Sequence, residues 1–211
     1  KFKPDTVNAL VSEILGQRAS LSGGKLGSMN LCEPSIGVQY TSSILGNNLG
    51  FACGRAFASK QKKNGVVAVV LGDGAIEEGR FWEALIFSSA QKIPLIFIIE
   101  NNGWSMQSSI AERRRDFDLE QVAGAAEMGY SLLDISKINS SDWSRLWEEV
   151  KSRRMPSILE IRLKTFGGKT IDEGKGSRYI NYHAGPILNR CADSFEGQFS
   201  LDDDDWLTSD L

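Results

Sequence analysis

The sequence predicts an α/β fold, three layers (α/β/α) around a mainly parallel sheet. Three observations carry that expectation. Residues 66–71 (VVAVVL) and 94–99 (PLIFII) are apolar runs that each stop at a polar group, and continuous Val, Ile and Leu suit strands covered on both faces. Residues 79–91 between them read as a helix. Strand, helix, strand is one crossover unit, which brings both strand carboxyl ends to the same edge of a sheet. Residues 130–135 and 157–163 read as two further strands with a helix between them.

Composition bounds the function classes. A chain of 211 residues suffices for one sizeable domain with a full core. A formal net charge of −3 gives no reason to expect nucleic acid. The run Asp202 to Asp205 reads as a solvated tail. Cys32, Cys53 and Cys191 make neither a disulfide framework nor a metal-ligand spacing, so a reducing cytoplasm is the expected setting. No apolar run has transmembrane length and no signal peptide is visible, so no membrane role is expected.

Residues 5–16 read as the first helix, with Leu10, Val11, Ile14 and Leu15 at helical spacing and Gly16 as the stop. A glycine-rich loop follows at 21–31, either a surface loop or part of a site. In residues 42–58, Leu45, Leu49, Ala52 and Ala56 form one apolar helical face, and small residues allow close helix packing. The 66–71 strand ends at Gly72-Asp73-Gly74, and the 94–99 strand leads to Asn101-Asn102. The crossover sets Asp73 and Asn102 at neighbouring strand tips. Two hard oxygen ligands there suit a magnesium ion that also grips a phosphate. Gly72 and Gly74 leave room for close backbone approach, and the next helix offers free N–H groups to an anion. Together these residue types describe a metal-bridged diphosphate site. Taken singly, Asp73 is an ordinary turn residue and Asn102 a loop residue.

Residues 101–107 then read as a loop over the metal, and 111–115 (AERRR) as a solvated basic face. Asp118 with Gln121 makes a capping-box-like start for a helix ended by Gly129. Trp143, Leu146, Trp147 and Val150 form a packing stripe on the helix that begins at Ser141-Asp142.

The Gly-Asp-Gly followed by Asn-Asn, 102 − 73 = 29 positions from Asp to second Asn, is similar to the thiamine diphosphate motif. The spacing resembles that of alpha subunits of 2-oxoacid dehydrogenases. In that superfamily the Asp, the Asn and the backbone carbonyl two residues later bind the metal. The resemblance therefore assigns Asp73, Asn102 and Trp104 to magnesium, with Gly72, Gly74 and Ala75 beside the diphosphate. Residues 21–31 (LSGGKLGSMNL) resemble the GKGGSMH segment of those subunits and the GGHLG segment of transketolase-like amino-terminal subunits. Lys25 and Asn30 stand where the relatives have histidine. The segment before the 42–58 helix resembles one that touches the cofactor's aminopyrimidine, which maps onto Ser43 and Leu45.

Residues 72–84 fit the transketolase frame GDG-x-x-x-EG-x-x-WEA. Glu78 and Glu83 match two carboxylates that help couple paired active sites, although Glu78 also suits a helix start. Trp82 reads as core. The 164–169 segment and the later Asn181-Tyr182-His183 resemble a transketolase strand end, glycine loop and histidine. By that resemblance His183, the chain's only histidine, lies over the diphosphate and the substrate oxygens as donor or acid.

What resembles the family is the diphosphate-binding domain alone, expected at 1–188 with an acidic tail at 189–211. The resemblance thus implies half an active site, completed by a separate pyrimidine-domain subunit that supplies a catalytic glutamate, as a heterotetramer. Its first implied function is transfer of a two-carbon ketol unit from a ketose phosphate to an aldose or carrier-bound acceptor. The alternative is the alpha subunit of a 2-oxoacid dehydrogenase, decarboxylating a 2-oxoacid and acylating lipoamide. A non-catalytic scaffold on the same fold is the third reading.

Overall fold

The computed structural model describes residues 4–27, 29–62, 65–106, 108–135 and 140–163. The expected tail at 189–211, the end of the expected domain and His183 lie outside them. The helices are α1 (Pro4–Ile14), α2 (Asn47–Lys62), α3 (Gly79–Gln91), α4 (Ile110–Arg113), α5 (Leu119–Ala125) and α6 (Ser140–Ser152). The strands are β1 (Val67–Gly72), β2 (Leu95–Asn101), β3 (Trp104–Ser105), β4 (Ser108–Ser109), β5 (Gly129–Asp134) and β6 (Ser157–Arg162). The main sheet has the order β1-β2-β6-β5, and the β5–β6 ladder is parallel. The expected α/β class with a parallel sheet and helical crossovers is the class observed. Among the described residues no helix is long and apolar enough to cross a membrane.

The chain packs as two compact units. The first takes residues 1–69, 75–97 and 154–156; the second takes 70–74, 98–153 and the described residues from 157 onward. Strands β1 and β2 run from the first into the second.

In the first unit α2 packs on α3. Leu49, Ala52 and Ala56 turn one face of α2 inward as their spacing requires, and Phe81, Ala84 and Leu85 do the same on α3. The Phe81 ring meets Phe97 edge-on at 5.8 Å. Full burial of side chains of this size contributes roughly 1.5–3 kcal/mol each. Leu45, expected on the same face, precedes the helix and is exposed.

Two apolar patterns are used differently from the sequence expectation. Residues Leu95 to Ile99 of β2 are all buried, but β1 is covered on one face only, with Val70 51% exposed. Among the described residues β1 ends the strand order. On α1 the apolar stripe is not the buried face: Val11, Ile14 and Leu15 are exposed, while Glu13 is fully buried.

The glycine-rich loop explains Glu13. Its carboxylate accepts from the Ser20 hydroxyl at 2.7 Å and from the backbone N–H groups of Ser22 (2.7 Å), Gly24 (3.1 Å) and Leu26 (2.8 Å). A carboxylate that accepts several such bonds keeps its charge to low pH. The Ser20 hydroxyl and these amides hold Glu13 down to about 2, from an ordinary 4.5. Gly24 has φ +72, and a Cβ there would sit 2.4 Å from the Gly16 carbonyl carbon.

The second unit is built on β6, whose residues Ser157 to Ile161 are all buried. Asp118 caps α5 by accepting from the Gln121 N–H at 3.0 Å. Gly129, expected as that helix's stop, instead opens β5; the turn is made by Ala126 and by Glu127 at φ 52. A Cβ on Gly129 would lie 2.7 Å from the Ser157 hydroxyl of its ladder partner, so close strand packing fixes that glycine. On α6 Val150 is buried, while Trp143 and Trp147 stack at 6.1 Å and stay half-buried.

The Glu13 shift fixes a pH dependence. The folded value lies below the unfolded one, so the carboxylate's contribution is fully present above about 4.5 and is lost as pH falls through about 2. Amide exchange at Ser22, Gly24 and Leu26 should accelerate across that window, beyond the intrinsic trend, in the native chain. The same amides in Glu13→Gln should show no such step. Gly24→Ala, with backbone in the way and a left-handed φ, should cost about 2 kcal/mol or more in denaturant unfolding.

Candidate functional site

In the second unit the tip of β1 meets the segment that follows β2. Asp73 is 2% exposed. Gly74 beside it is buried, and a Cβ there would lie 2.4 Å from the Ser105 hydroxyl oxygen, so glycine lets these two segments of the chain approach. The Arg113 guanidinium lies 3.3 Å from the Asp73 carboxylate, with side chains 14% and 3% exposed. Arg113 also donates to the Ser108 carbonyl. Burial pushes the Asp73 carboxyl up, and the neighbouring guanidinium pulls it back.

The segment after β2 is shaped by its own asparagines. The Asn101 side-chain oxygen accepts from Gly103 N–H at 3.2 Å, and the Asn102 side-chain oxygen accepts from Trp104 N–H at 2.8 Å. These are two successive Asx turns, the local geometry that asparagine favours. Gly103 between them has φ +78. The chain then forms the hairpin β3–β4, pairing Trp104 with Ser109 and Ser105 with Ser108. Its turn passes through Met106 at φ 55. A capping box on Ser109 and Glu112 starts α4, which carries Arg113.

This differs from the expected loop and solvated basic face. Trp104 and Ser105 pair with Ser109 and Ser108 as a hairpin. Arg113 is drawn to Asp73, 40 positions earlier. Arg114 lies over the Phe117 ring at 4.5 Å and pairs with Asp116 at 3.3 Å. Arg115 alone of the three is exposed, as expected of the whole run. Residues 110–116 line a cleft of ≈ 640 Å³.

The remaining expected residues fall as follows. Gly72, Asp73, Gly74, Asn102 and Trp104 belong to the second unit; Ser43, Leu45, Ala75, Glu78 and Glu83 belong to the first. Ser43 is exposed, and its N–H donates to the Asn30 side chain at 3.4 Å, which ties the glycine-rich loop to the approach to α2. Leu45 is exposed and Ala75 buried in a turn of 3-10 helix. Glu78 is the exposed N-cap of α3, without a side-chain capping bond, and Glu83 is exposed on that helix. Glu83 shares the wall of a groove of ≈ 600 Å³ with Asn47, Gly50, Gly54, Arg80 and Phe87.

By donor chemistry the expected ligands suit a small hard cation: a carboxylate, an amide oxygen and a backbone carbonyl are all hard oxygen donors. The amide oxygen has a lone pair beyond the one Trp104 N–H uses. A cation, the Arg113 guanidinium, already balances the buried carboxylate. Arg113 had no signal in local sequence pattern beyond membership of a basic run.

The family model for the dehydrogenase E1 component matches residues 3–143. The alpha subunit of acetoin:2,6-dichlorophenolindophenol oxidoreductase from Cupriavidus necator is 37% identical over 174 residues, 76% of this chain and 49% of that one. The pyruvate dehydrogenase E1 component subunit alpha from Rhizobium meliloti is 26% identical over 172 residues, 80% of this chain and 49% of that one. A solved transketolase from Leishmania mexicana superposes at TM-score 0.47 and 20% identity, over 61% of this chain and 21% of that one. The chain spans about half the length of the curated relatives it matches. It belongs to the dehydrogenase E1 component family. That membership favours the 2-oxoacid dehydrogenase alternative over ketol transfer. The Trp82-Glu83-Ala84 frame behind the latter lies on α3, where Trp82 packs against Phe81 at 5.3 Å and Ala84 is buried, so two of its three residues report helix packing.

Removing one partner of a buried ion pair leaves the other charge uncompensated. Arg113→Met should therefore destabilise the ion-free chain by about 3 kcal/mol in denaturant unfolding. If Asp73 accepts a divalent ion, millimolar magnesium with pyrophosphate should recover much of that loss in Arg113→Met and none in the double variant with Asp73→Asn.

Proposed function

We propose that this chain supplies the diphosphate- and metal-binding half of a thiamine diphosphate-dependent E1 enzyme of the 2-oxoacid dehydrogenase type. The observation that carries the proposal is the buried Asp73 carboxylate at the tip of β1, balanced by the Arg113 guanidinium, with Ser105 packed against the neighbouring Gly74. Asp73, Asn102 and the Trp104 carbonyl would hold magnesium. Gly72 and Gly74 would admit the diphosphate, with Ala75 next to it, and Ser43 and Leu45 would face the aminopyrimidine. His183 would donate toward the diphosphate and the substrate oxygens. When bound, thiamine diphosphate supplies a carbanion centre that cleaves the bond next to a substrate carbonyl.

The chain's own contribution is to hold and orient. A buried carboxylate fixed by the β1 tip is positioned before any ligand arrives, which removes a reorganisation cost from binding. The substrate class is a 2-oxoacid or a 2-hydroxyketone; the relatives named for pyruvate and for acetoin support testing both.

A separate pyrimidine-domain chain would complete the site with a catalytic glutamate, as a heterotetramer. The groove between α2 and α3 supports a docking surface for it. Gly50 and Gly54 leave open space where side chains would stand, and Phe51, Ile86 and Phe87 are exposed apolar side chains on the same two helices. Exposed apolar surface of this kind marks association. Glu78 and Glu83 would then face the interface, the position their resemblance implies.

Calorimetry of the chain with its partner should show magnesium-dependent thiamine diphosphate binding. Asp73→Ala should weaken it by more than the roughly 10–100-fold that outer partners of a metal site cost. Turnover of pyruvate or acetoin with a dye acceptor, and none of ketose phosphates, is the expected outcome; the reverse would restore ketol transfer. Gly54→Leu separates folding from assembly. It removes a helical glycine at an open position, so the chain alone should gain about 0.5–1 kcal/mol, while affinity for the partner falls by about tenfold or more.

A further inference from the structure

The second unit holds a buried carboxylate that the proposed site does not use. Glu160 lies on β6 among Ile158, Leu159 and Ile161 and is 3% exposed. A charge buried among apolar side chains is costly unless fully hydrogen-bonded. Glu160 meets that condition from both flanking strands. Its Oε1 accepts from the Asn101 side-chain amide at 3.0 Å and from Arg162 Nε at 3.1 Å, and its Oε2 accepts from the Tyr130 hydroxyl at 2.7 Å. Asn101 ends β2 and Tyr130 lies on β5, the strands on either side of β6. Burial and this carboxylate push the Tyr130 phenol well above its ordinary value, which keeps the donor protonated.

The chemistry of the contact fixes a direction. An ionised carboxylate only accepts, so it draws the NH₂ end of the Asn101 amide and turns the oxygen end to the Gly103 N–H, 3.2 Å away. The Asn101 carbonyl accepts from Leu163 N–H at 3.1 Å, which holds its backbone as well. The first Asx turn is thereby set, and the second, Asn102 to Trp104, starts from it. Asn102 and Trp104 are the residues proposed to give magnesium its amide and carbonyl oxygens.

We propose that Glu160 is a positioning residue for that metal: acting through Asn101, it preorganises the turn that presents Asn102 and the Trp104 carbonyl. This rests on the reading of Asp73, Asn102 and Trp104 as metal ligands. Glu160 touches neither metal nor substrate.

The test uses the full chain, with Mn²⁺ and inorganic pyrophosphate as the probe and electron paramagnetic resonance as the affinity readout. Glu160→Leu and Asn101→Ala should each weaken Mn²⁺ binding about tenfold. The double variant should be no weaker than either single one, because both break the same link. Glu160→Gln, which keeps an acceptor for Asn101, should recover most of the affinity. Tyr130→Phe removes a bond to the other carboxylate oxygen and should leave affinity unchanged whatever it does to stability. Amide exchange at Gly103 and Trp104, measured without metal, should rise in Glu160→Leu and Asn101→Ala alone. Should Glu160→Leu not fold, Asn101→Ala, Glu160→Gln and Tyr130→Phe still decide the matter. Wild-type affinity in Asn101→Ala, or a loss in Tyr130→Phe equal to that in Asn101→Ala, overturns the positioning role and leaves the metal site standing. Absence of Mn²⁺ binding by the wild-type chain overturns both.

Discussion

A carboxylate removed from water must find its compensation inside the chain, and much of this structure follows from that constraint at Asp73. The residue ends a strand whose inward side chains are apolar and is itself almost wholly buried. Burial opposes its charge, so a cation has to be delivered to it. The chain delivers one by a long local route: two asparagine turns, a two-strand hairpin and a capped single-turn helix carry Arg113 back to the β1 tip. Each device is short-range and cheap to form, and their sum closes a contact between residues 40 positions apart.

Three carboxylates are buried among the described residues, and each is satisfied differently. Asp73 has a guanidinium. Glu160 has neutral and charged side-chain donors from three strands. Glu13 has a serine hydroxyl and a loop's worth of backbone N–H groups. The difference matters for what each can do. Glu13 and Glu160 have their lone pairs occupied by fixed donors, which makes them organisers of a loop and of a turn. Asp73 has the Gly74 N–H beside it and takes its charge partner from one long, flexible side chain, and a contact of that kind can be exchanged.

The elements legible in the sequence were those whose signal is local. The apolar run of β2, the helix at 79–91 and the inward face of α2 at Leu49, Ala52 and Ala56 appear where periodicity and burial put them. Asp73 and Asn102, the proposed donors, are marked in the sequence by glycine turns and strand ends. Arg113 was not: in sequence it is one of three arginines, and only the fold tells which of them reaches Asp73. The α1 stripe misled for a related reason. Periodicity says which residues share a face, and here the buried position on α1 is set by a loop that needs an acceptor, so Glu13 is inside while Val11 and Ile14 are outside. The β3–β4 hairpin carried no turn signal of its own, since its reversal uses Met106 at positive φ where glycine or asparagine is the usual choice.

The same distinction separates what the family frame says from what the site says. In the Trp82-Glu83-Ala84 frame, Trp82 packs on Phe81 and Ala84 is buried, so the frame speaks to the fold, and a fold does not fix a substrate. The β1 tip is a stronger guide to chemistry, because its charge balance has a consequence. A guanidinium neutralises Asp73 one for one and leaves no surplus. A divalent cation in its place would leave one positive charge in excess, in a site that burial keeps at low dielectric. That excess is what a diphosphate would meet. It would also release Arg113 from Asp73 while its bond to the Ser108 carbonyl remains, and its planar fork suits phosphate oxygens. On the proposed reading, then, the ion-free arrangement carries within it the positive charge that ligand binding would call on, held in reserve by the carboxylate that the metal would take.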